Sequence, residues 1–239
     1  MRLKVFVTEG AMVLRGLTED FFARFAQHEQ RVQSSQAVQG ENRVKSFLRR
    51  GVAGLGAVPV REAEEFFRGL SVEPGVVRLV EFCRSRGIEL SVIGDGLEYC
   101  LESVLACNGI QDVRTYANRT EVEVDGERVR FSVSFPYDDA ECASCACCAR
   151  NIMLTTCGDD DRIVFVGSEE RDVCPAEYAD VVFARGALQS ACQARNISYL
   201  LYSSLDDVVE RLMKLAARRN LRPRREAAMK RRDAFIAEW

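Results

Sequence analysis

With 239 residues, 47% of them hydrophobic and 29% charged, the chain has the composition of a folded globular protein. That excludes a disordered tail protein, a collagen-like repeat and a small disulfide knot, and the length is enough to bury a sizeable core. The formal net charge of −3 hides an asymmetry: from Lys214 to Trp239 nine Lys/Arg stand against three Asp/Glu, a surplus of +6 that leaves −9 on residues 1–213. No stretch reaches the roughly 18 consecutive apolar residues that span a bilayer. The first apolar run, broken by Glu9 and Gly10, is too short for a signal-peptide core, so a cytoplasmic protein without a membrane partner is expected. Ten cysteines are too few for a disulfide scaffold of this length. Most are expected as reduced thiols, with Cys83, Cys100 and Cys107 as small buried hydrophobes.

In chain order, Leu3 to Thr8 is a β-branched and aromatic run ending at Glu9-Gly10, which predicts a buried strand and a tight turn. Thr18 to Gln30 predicts a helix. From there to Gly75 the apolar positions, Val44, Phe47, Leu48, Val52, Leu55 and onward, keep helical spacing and are divided by Gly51, Gly54, Gly56 and Pro59. This predicts a small helical unit inserted at 31–75. Gly75 to Arg86 predicts a helix, Ile88 to Ile93 a strand, Gly94-Asp95-Gly96 a turn and Leu97 to Cys107 another helix. Val113 to Ala117 fits a further strand, and alternation around Asp125-Gly126 predicts a hairpin. Ile163 to Gly167 and Asp180 to Phe183 predict buried strands, joined through a short helical connection at Cys174 to Tyr178. Tyr199 to Tyr202 predicts the last strand, and Leu205 to Arg219 a long amphipathic helix. Strands alternating with helices predict an α/β fold with a mostly parallel sheet and ligand chemistry at the strands' carboxyl ends.

The segments at those ends carry a resemblance. KVFVTEGAMVL, LSVIGDG, CACCARN and VFVGSEERDVCPAEYADVVFA are similar, in order and context, to the four motifs of the haloacid-dehalogenase superfamily. The branch they resemble contains phosphoserine phosphatase and the methylthiopentenyl-phosphate phosphatases. The most specific part is Asp172-Val173-Cys174-Pro175-Ala176 with Ala179-Asp180. The resemblance spans roughly residues 3–210 and implies a Rossmann-like core at 1–30 and 76–210, a helical cap at 31–75 and a basic extension at 211–239. It also implies phosphoryl-transfer chemistry. A carboxylate nucleophile, a second carboxyl two residues on, a hydroxyl and a lysine for the phosphate, and carboxylates holding magnesium would carry that reaction.

This sequence departs from the pattern at those places. With Gly10 on the family's glycine, Val7 takes the nucleophile position and Glu9 the acid position. Shifted by one, Thr8 and Gly10 take them, and neither register supplies two carboxylates. Gly94 stands at the hydroxyl position, Ala149 at the lysine position and Ser168 at the first metal-ligand position of the last motif. Asp95, Arg150, Asn151 and Asp172 remain. Losing even one preorganised electrostatic contact costs about 10²–10³ in rate, so losing these together points to a chain without the family's chemistry. Thr8 and Glu9 then read as a solvated strand end. A crevice lined by Glu9, Asp95, Glu169, Glu170 and Asp172 would disfavour phosphate and suit a cationic or neutral ligand. Glu9 with Glu169 or Asp172 is an alternative metal arrangement.

Cys142, Cys145, Cys147 and Cys148 are the remaining cluster. Thiols at such spacing can hold zinc, although structural zinc sites usually join two separated pairs, and the resemblance accounts for Cys145 and Cys148 as inherited with the scaffold. Buried or turn thiols and redox sensing are the other readings. The single histidine, His28, excludes a multi-histidine metal site and reads as a solvated position. The basic C-terminal segment fits a helix packed back on the acidic body, a docking element for a protein partner or second copy, or a nucleic-acid contact. The last is disfavoured by the acidic body and the absence of interleaved aromatics.

The expectation is therefore a phosphatase-like chain that has lost catalysis and acts as a binding or regulatory subunit, with no cofactor. The alternatives are a magnesium-dependent phosphomonoesterase acting on a small phosphorylated metabolite, and a cysteine-cluster metal-binding protein that takes zinc.

Overall fold

The computed structural model describes residues 2–13, 16–26, 42–139, 142–218 and 221–237. His28 and the first part of the expected cap lie outside the described residues. The chain divides into two compact units, the first formed by Met1–Met12, Glu73–Val92 and Ala149–Trp239, the second by Val13–Val72 and Ile93–Cys148. These boundaries differ from the expected ones, because residues 13–26 and 93–148 group with the helical insert rather than with the first strand.

In the first unit, β1 (Arg2–Thr8), β6 (Asp161–Gly167), β7 (Val181–Ala184) and β8 (Leu200–Leu201) form parallel ladders in that order. Register runs from Arg2 opposite Asp161 to Val7 opposite Val166. Val5, Val7, Val164, Phe165, Val166 and Phe183 are all buried, the near-continuous apolar run that a strand covered on both faces requires. The expected strands are all present, and the structure adds helices that periodicity did not single out: α1 (Glu9–Met12), α7 (Ala149–Thr156) and α9 (Gly186–Ala194). The connection after β6 is a 3-10 turn at Glu170–Asp172 followed by α8 (Val173–Ala176).

The expected helices at Gly75 and Leu205 appear as α5 (Gly75–Ser85) and α10 (Leu205–Ala216). Their N-termini meet on one buried carboxylate. Glu73 Oε2 accepts the N–H of Gly75 at 3.0 Å and Oε1 accepts that of Leu205 at 3.2 Å, so one side chain satisfies a buried donor of each helix. Gly75 is needed there, since a Cβ would lie 2.6 Å from the N of Asp206.

The second unit contains α2 (Leu17–Phe25), α3 (Arg43–Leu55), β2 (Val58–Pro59), α4 (Val60–Arg68), α6 (Glu98–Cys107) and the antiparallel strands β4 (Arg114–Asp125) and β5 (Arg128–Ser134). Its core is aromatic: Phe21 stacks on Phe67 with centroids 5.4 Å apart, while Phe66, Tyr99 and Phe131 meet Phe21 tilted or edge-on. The predicted hairpin turns where expected. Asp125 pairs with Arg128, and Gly126 at φ +60° supplies the positive φ of the first turn position.

Two expectations are corrected. Gly94-Asp95-Gly96 is not a turn: β3 (Glu89–Leu97) runs through it, and neither glycine takes a positive φ. Its backbone groups have lateral partners that hold it extended, with the Asn118 amide donating to the carbonyls of Asp95 and Gly96 (2.8 and 2.9 Å) and Thr18 Oγ1 accepting from Leu97 N (2.9 Å). Cys107, expected to be buried, is exposed at the end of α6, whereas Cys83 and Cys100 are buried as expected.

The C-terminal segment forms α11 (Arg225–Ala237), held on the first unit by specific contacts. Arg231 Nη2 meets Asp180 Oδ1 at 2.9 Å, Lys230 pairs with Glu177, and Arg224 Nη2 donates to the carbonyls of Ala176 and Glu177, both at 2.7 Å. No helix among the described residues is long and apolar enough to cross a membrane.

Candidate functional site

The carboxyl ends of β1 and β6 meet in the first unit, and the side chains there follow from the local sequence. Val7 is 0% exposed and sits in the ladder opposite Val166. Thr8 is also buried, and its Oγ1 donates to Asp172 Oδ2 at 3.1 Å. That oxygen accepts two further bonds, from the backbone N–H groups of Ser168 (2.8 Å) and Glu169 (3.0 Å). Gly167 is required beneath it, because a Cβ would lie 2.6 Å from Asp172 Oδ2. Burial pushes the Asp172 carboxyl above its ordinary value, and the Ser168 and Glu169 N–H groups, which favour the ionised form, only partly offset this.

Ser168 is used structurally as well. Its Oγ donates to the carbonyl of Gly10 at 2.9 Å, tying α1, where a tight turn was expected, to the end of β6. The Glu169 carboxylate lies so close over Gly10 that a Cβ there would overlap it, and the same carboxylate pairs with Arg171 at 2.7 Å. Glu9 opens α1, and Ala149 and Arg150 open α7, so no ammonium stands at the position where the resemblance implies a lysine.

Gly94 and Asp95 belong to the second unit, where Asp95 is an anchor. Its Oδ1 accepts the backbone N–H groups of Ala146 (2.7 Å) and Cys147 (2.8 Å), fixing the cysteine loop. Asn42, which the sequence reading did not single out, holds the same loop from another side, donating through Nδ2 to the carbonyls of Cys145 (2.8 Å) and Cys142 (3.4 Å). Its Oδ1 meanwhile caps α3 by accepting from Val44 N and Lys45 N. An asparagine directly before an apolar-periodic run is an N-cap signal and marks the position. Its bonds to a loop a hundred residues away leave no local trace.

Of the four clustered cysteines, the structure gathers three. The sulfurs of Cys142, Cys145 and Cys148 all lie within 4.8 Å of one another, and those of Cys142 and Cys145 are 3.2 Å apart. Cys147 stands outside this group, its backbone taken by Asp95. The neighbouring Cys148 thiol, and burial after it, push the Cys145 thiol well above the ordinary range. All ten cysteines are free thiols.

Magnesium, which the resemblance implies for an active enzyme, takes oxygen ligands in near-octahedral array, usually one or two carboxylates with waters and substrate phosphate. The donor set does not fit it. Among the described residues, the group of three or more ligating side chains converging within 4.8 Å is the thiol trio, and it contains no carboxylate. Asp172 directs one oxygen at three protein donors and is disfavoured as an anion, and a serine, Ser168, stands where the resemblance implies a carboxylate. No step through magnesium follows from these residues.

The family described as "Putative Phosphatase" matches residues 18–199. Similar curated proteins include the 2-hydroxy-3-keto-5-methylthiopentenyl-1-phosphate phosphatase of Exiguobacterium sibiricum, 29% identical over 143 residues, which are 59% of this chain and 63% of that protein. The protein of the same name from Brevibacillus brevis is 26% identical, over 61% of this chain and 64% of its own length. These alignments cover less than two thirds of either relative. Among solved structures, a substrate-bound phosphoserine phosphatase superposes with a TM-score of 0.57 at 16% identity, covering 88% of this chain and 99% of that one. A probable phosphoserine phosphatase from Vibrio cholerae gives 0.61 at 14% identity, covering 90% and 66%. At such identities the structures show a shared α/β fold.

Proposed function

The chain belongs to the family described as "Putative Phosphatase", within the phosphoserine- and methylthiopentenyl-phosphate-phosphatase-like branch of the haloacid-dehalogenase superfamily, and on that premise we propose that it is a member acting by binding rather than by catalysis. The observation that carries the reading is Val7. Where the family's carboxylate would attack phosphorus stands a fully buried valine locked in a parallel ladder. A covalent phosphoryl mechanism needs an activated nucleophile in reach of the substrate, and neither Val7 nor Thr8, whose hydroxyl is bonded to Asp172, offers one. In the first unit, Glu9 follows β1 and Glu169 follows β6, and position 149 is alanine. Such a lining favours a cationic or neutral ligand over a phosphate monoester.

A second reading, a magnesium-dependent phosphomonoesterase acting on a small phosphorylated metabolite, is favoured by the phosphatase names of the relatives described above. The comparisons support that reading better than the first, while the side chains at the strand ends support the first. One experiment separates them: hydrolysis of an aryl phosphate and a panel of sugar, amino-acid and methylthiopentenyl phosphates, with and without magnesium, by the wild type and by Asp172→Asn. Release of phosphate at the no-protein rate is expected throughout. Magnesium-dependent turnover that disappears in Asp172→Asn would establish the esterase and refute the binding role.

A further inference from the structure

We propose that Cys142, Cys145 and Cys148 are thiolate ligands of a single zinc ion, with the Asp139 carboxylate as the fourth. The three sulfurs recur at every third residue, and the loop brings all of them within 4.8 Å. Tetrahedral zinc with bonds of about 2.3 Å to sulfur and about 2.1 Å to oxygen places two sulfur ligands about 3.8 Å apart and a sulfur and an oxygen about 3.6 Å apart. Cys142 and Cys145 stand at 3.2 Å, and Cys148 Sγ stands 3.6 Å from Asp139 Oδ2. Asp139 lies outside the 4.8 Å envelope of the thiol trio, so its carboxylate completes the set by a side-chain rotation.

The loop is fixed by contacts that do not use the thiols. Asn42 holds the carbonyls of Cys142 and Cys145, Asp95 holds the N–H groups of Ala146 and Cys147, and Cys148 N donates to the carbonyl of Tyr137 at 2.9 Å. These are the outer contacts that orient metal ligands before the metal arrives. Three thiols and a carboxylate brought together are electron-rich atoms that repel once ionised, and an intervening dication resolves the arrangement. Cys147, adjacent in sequence, is excluded because its sulfur falls outside the converging group. The spacing also occurs among iron–sulfur ligands. There each cysteine binds a different iron, which holds the sulfurs farther apart than they are in this loop, so a single ion is favoured. Binding is balanced by protons: each thiol that ligates releases its proton to solvent.

The test uses the full-length protein purified without chelators. Metal analysis is expected to give one zinc per chain, and zinc titration of the chelator-stripped protein is expected to release about three protons per ion. Zinc should also shield Cys142, Cys145 and Cys148, and not Cys107 or Cys157, from alkylation read by peptide mass spectrometry. Cobalt in place of zinc should give a thiolate-to-metal charge-transfer band and intense tetrahedral visible bands. Cys145→Ser should abolish stoichiometric binding, and Cys107→Ser should leave it intact. Asn42→Ser, which keeps a helix cap and removes the loop donor, should weaken zinc by about 10–100-fold. No zinc uptake by the stripped wild type, uniform alkylation with and without zinc, or bound iron with acid-labile sulfide would each overturn the proposal. The alkylation pattern of the wild type decides the matter even if a variant fails to fold.

Discussion

Arg231→Ala tests whether the basic C-terminal helix is an integral part of the first unit. The Asp180 side chain is 0% exposed, that of Arg231 17%. The Asp180 carboxylate accepts Arg231 Nη2 at 2.9 Å, Ile163 N at 2.9 Å and Arg224 N at 3.3 Å. Removing one partner of a buried ion pair costs about 3–5 kcal/mol, because the other charge is left without its counter-ion. Here the two backbone N–H groups stay, which puts the expected loss at the lower end, about 3 kcal/mol. For a chain of this size that corresponds to roughly 6–12 °C in Tm. Urea unfolding of wild type, Arg231→Ala, Asp180→Asn and the double variant measures it, and the cycle isolates the coupling between the two side chains. Lys230→Ala is the control: its side chain is 44% exposed, and a surface pair with Glu177 is worth about 0–1 kcal/mol. A loss under about 1 kcal/mol for Arg231→Ala, or one that high salt erases as it would a surface pair, would refute the reasoning and leave α11 free to serve a partner.

Gly51→Ala should destabilise by about 1–2 kcal/mol in the same assay although alanine gains about 1 kcal/mol of helix propensity. A Cβ at Gly51 would overlap the ring of Phe22, itself packed edge-on to Phe47, and overpacking costs about 1–3 kcal/mol; a rise in stability would refute that packing. Asp172→Asn should alter the pH dependence of stability. The folded carboxyl is pushed up by burial, so its contribution is complete below the ordinary carboxyl value of about 3.9 and is lost as pH rises through the folded value. The variant should therefore gain on the wild type between about pH 4 and pH 7. A flat or opposite difference in urea unfolding across that range would contradict it.

The fold was legible where hydrophobic periodicity was strong. The runs at Leu3, Ile163 and Asp180 became the central parallel strands because residues buried on both faces must be apolar throughout, a constraint written into consecutive positions. The hairpin was legible because Asp125-Gly126 offers a positive φ at little cost. Gly94-Asp95-Gly96 misled for a complementary reason. Glycine permits a turn without requiring one, and the partners that keep this stretch extended, Thr18 and Asn118, lie far away in the chain.

For the site the division is similar. Sequence by itself determined what single positions can offer: Val7 has no nucleophilic atom and Ala149 no ammonium. It also placed the thiols close together in the chain. Tertiary structure decided what the surviving polar residues do, turning Asp172 into an acceptor for Thr8 and two backbone N–H groups and Asp95 into the anchor of the cysteine loop. It also chose Cys142, Cys145 and Cys148 over Cys147, and bound the +6 tail to buried Asp180. The physical reason is that a side chain's composition fixes the bonds it can make, whereas its partners are set by where the backbone brings distant segments together.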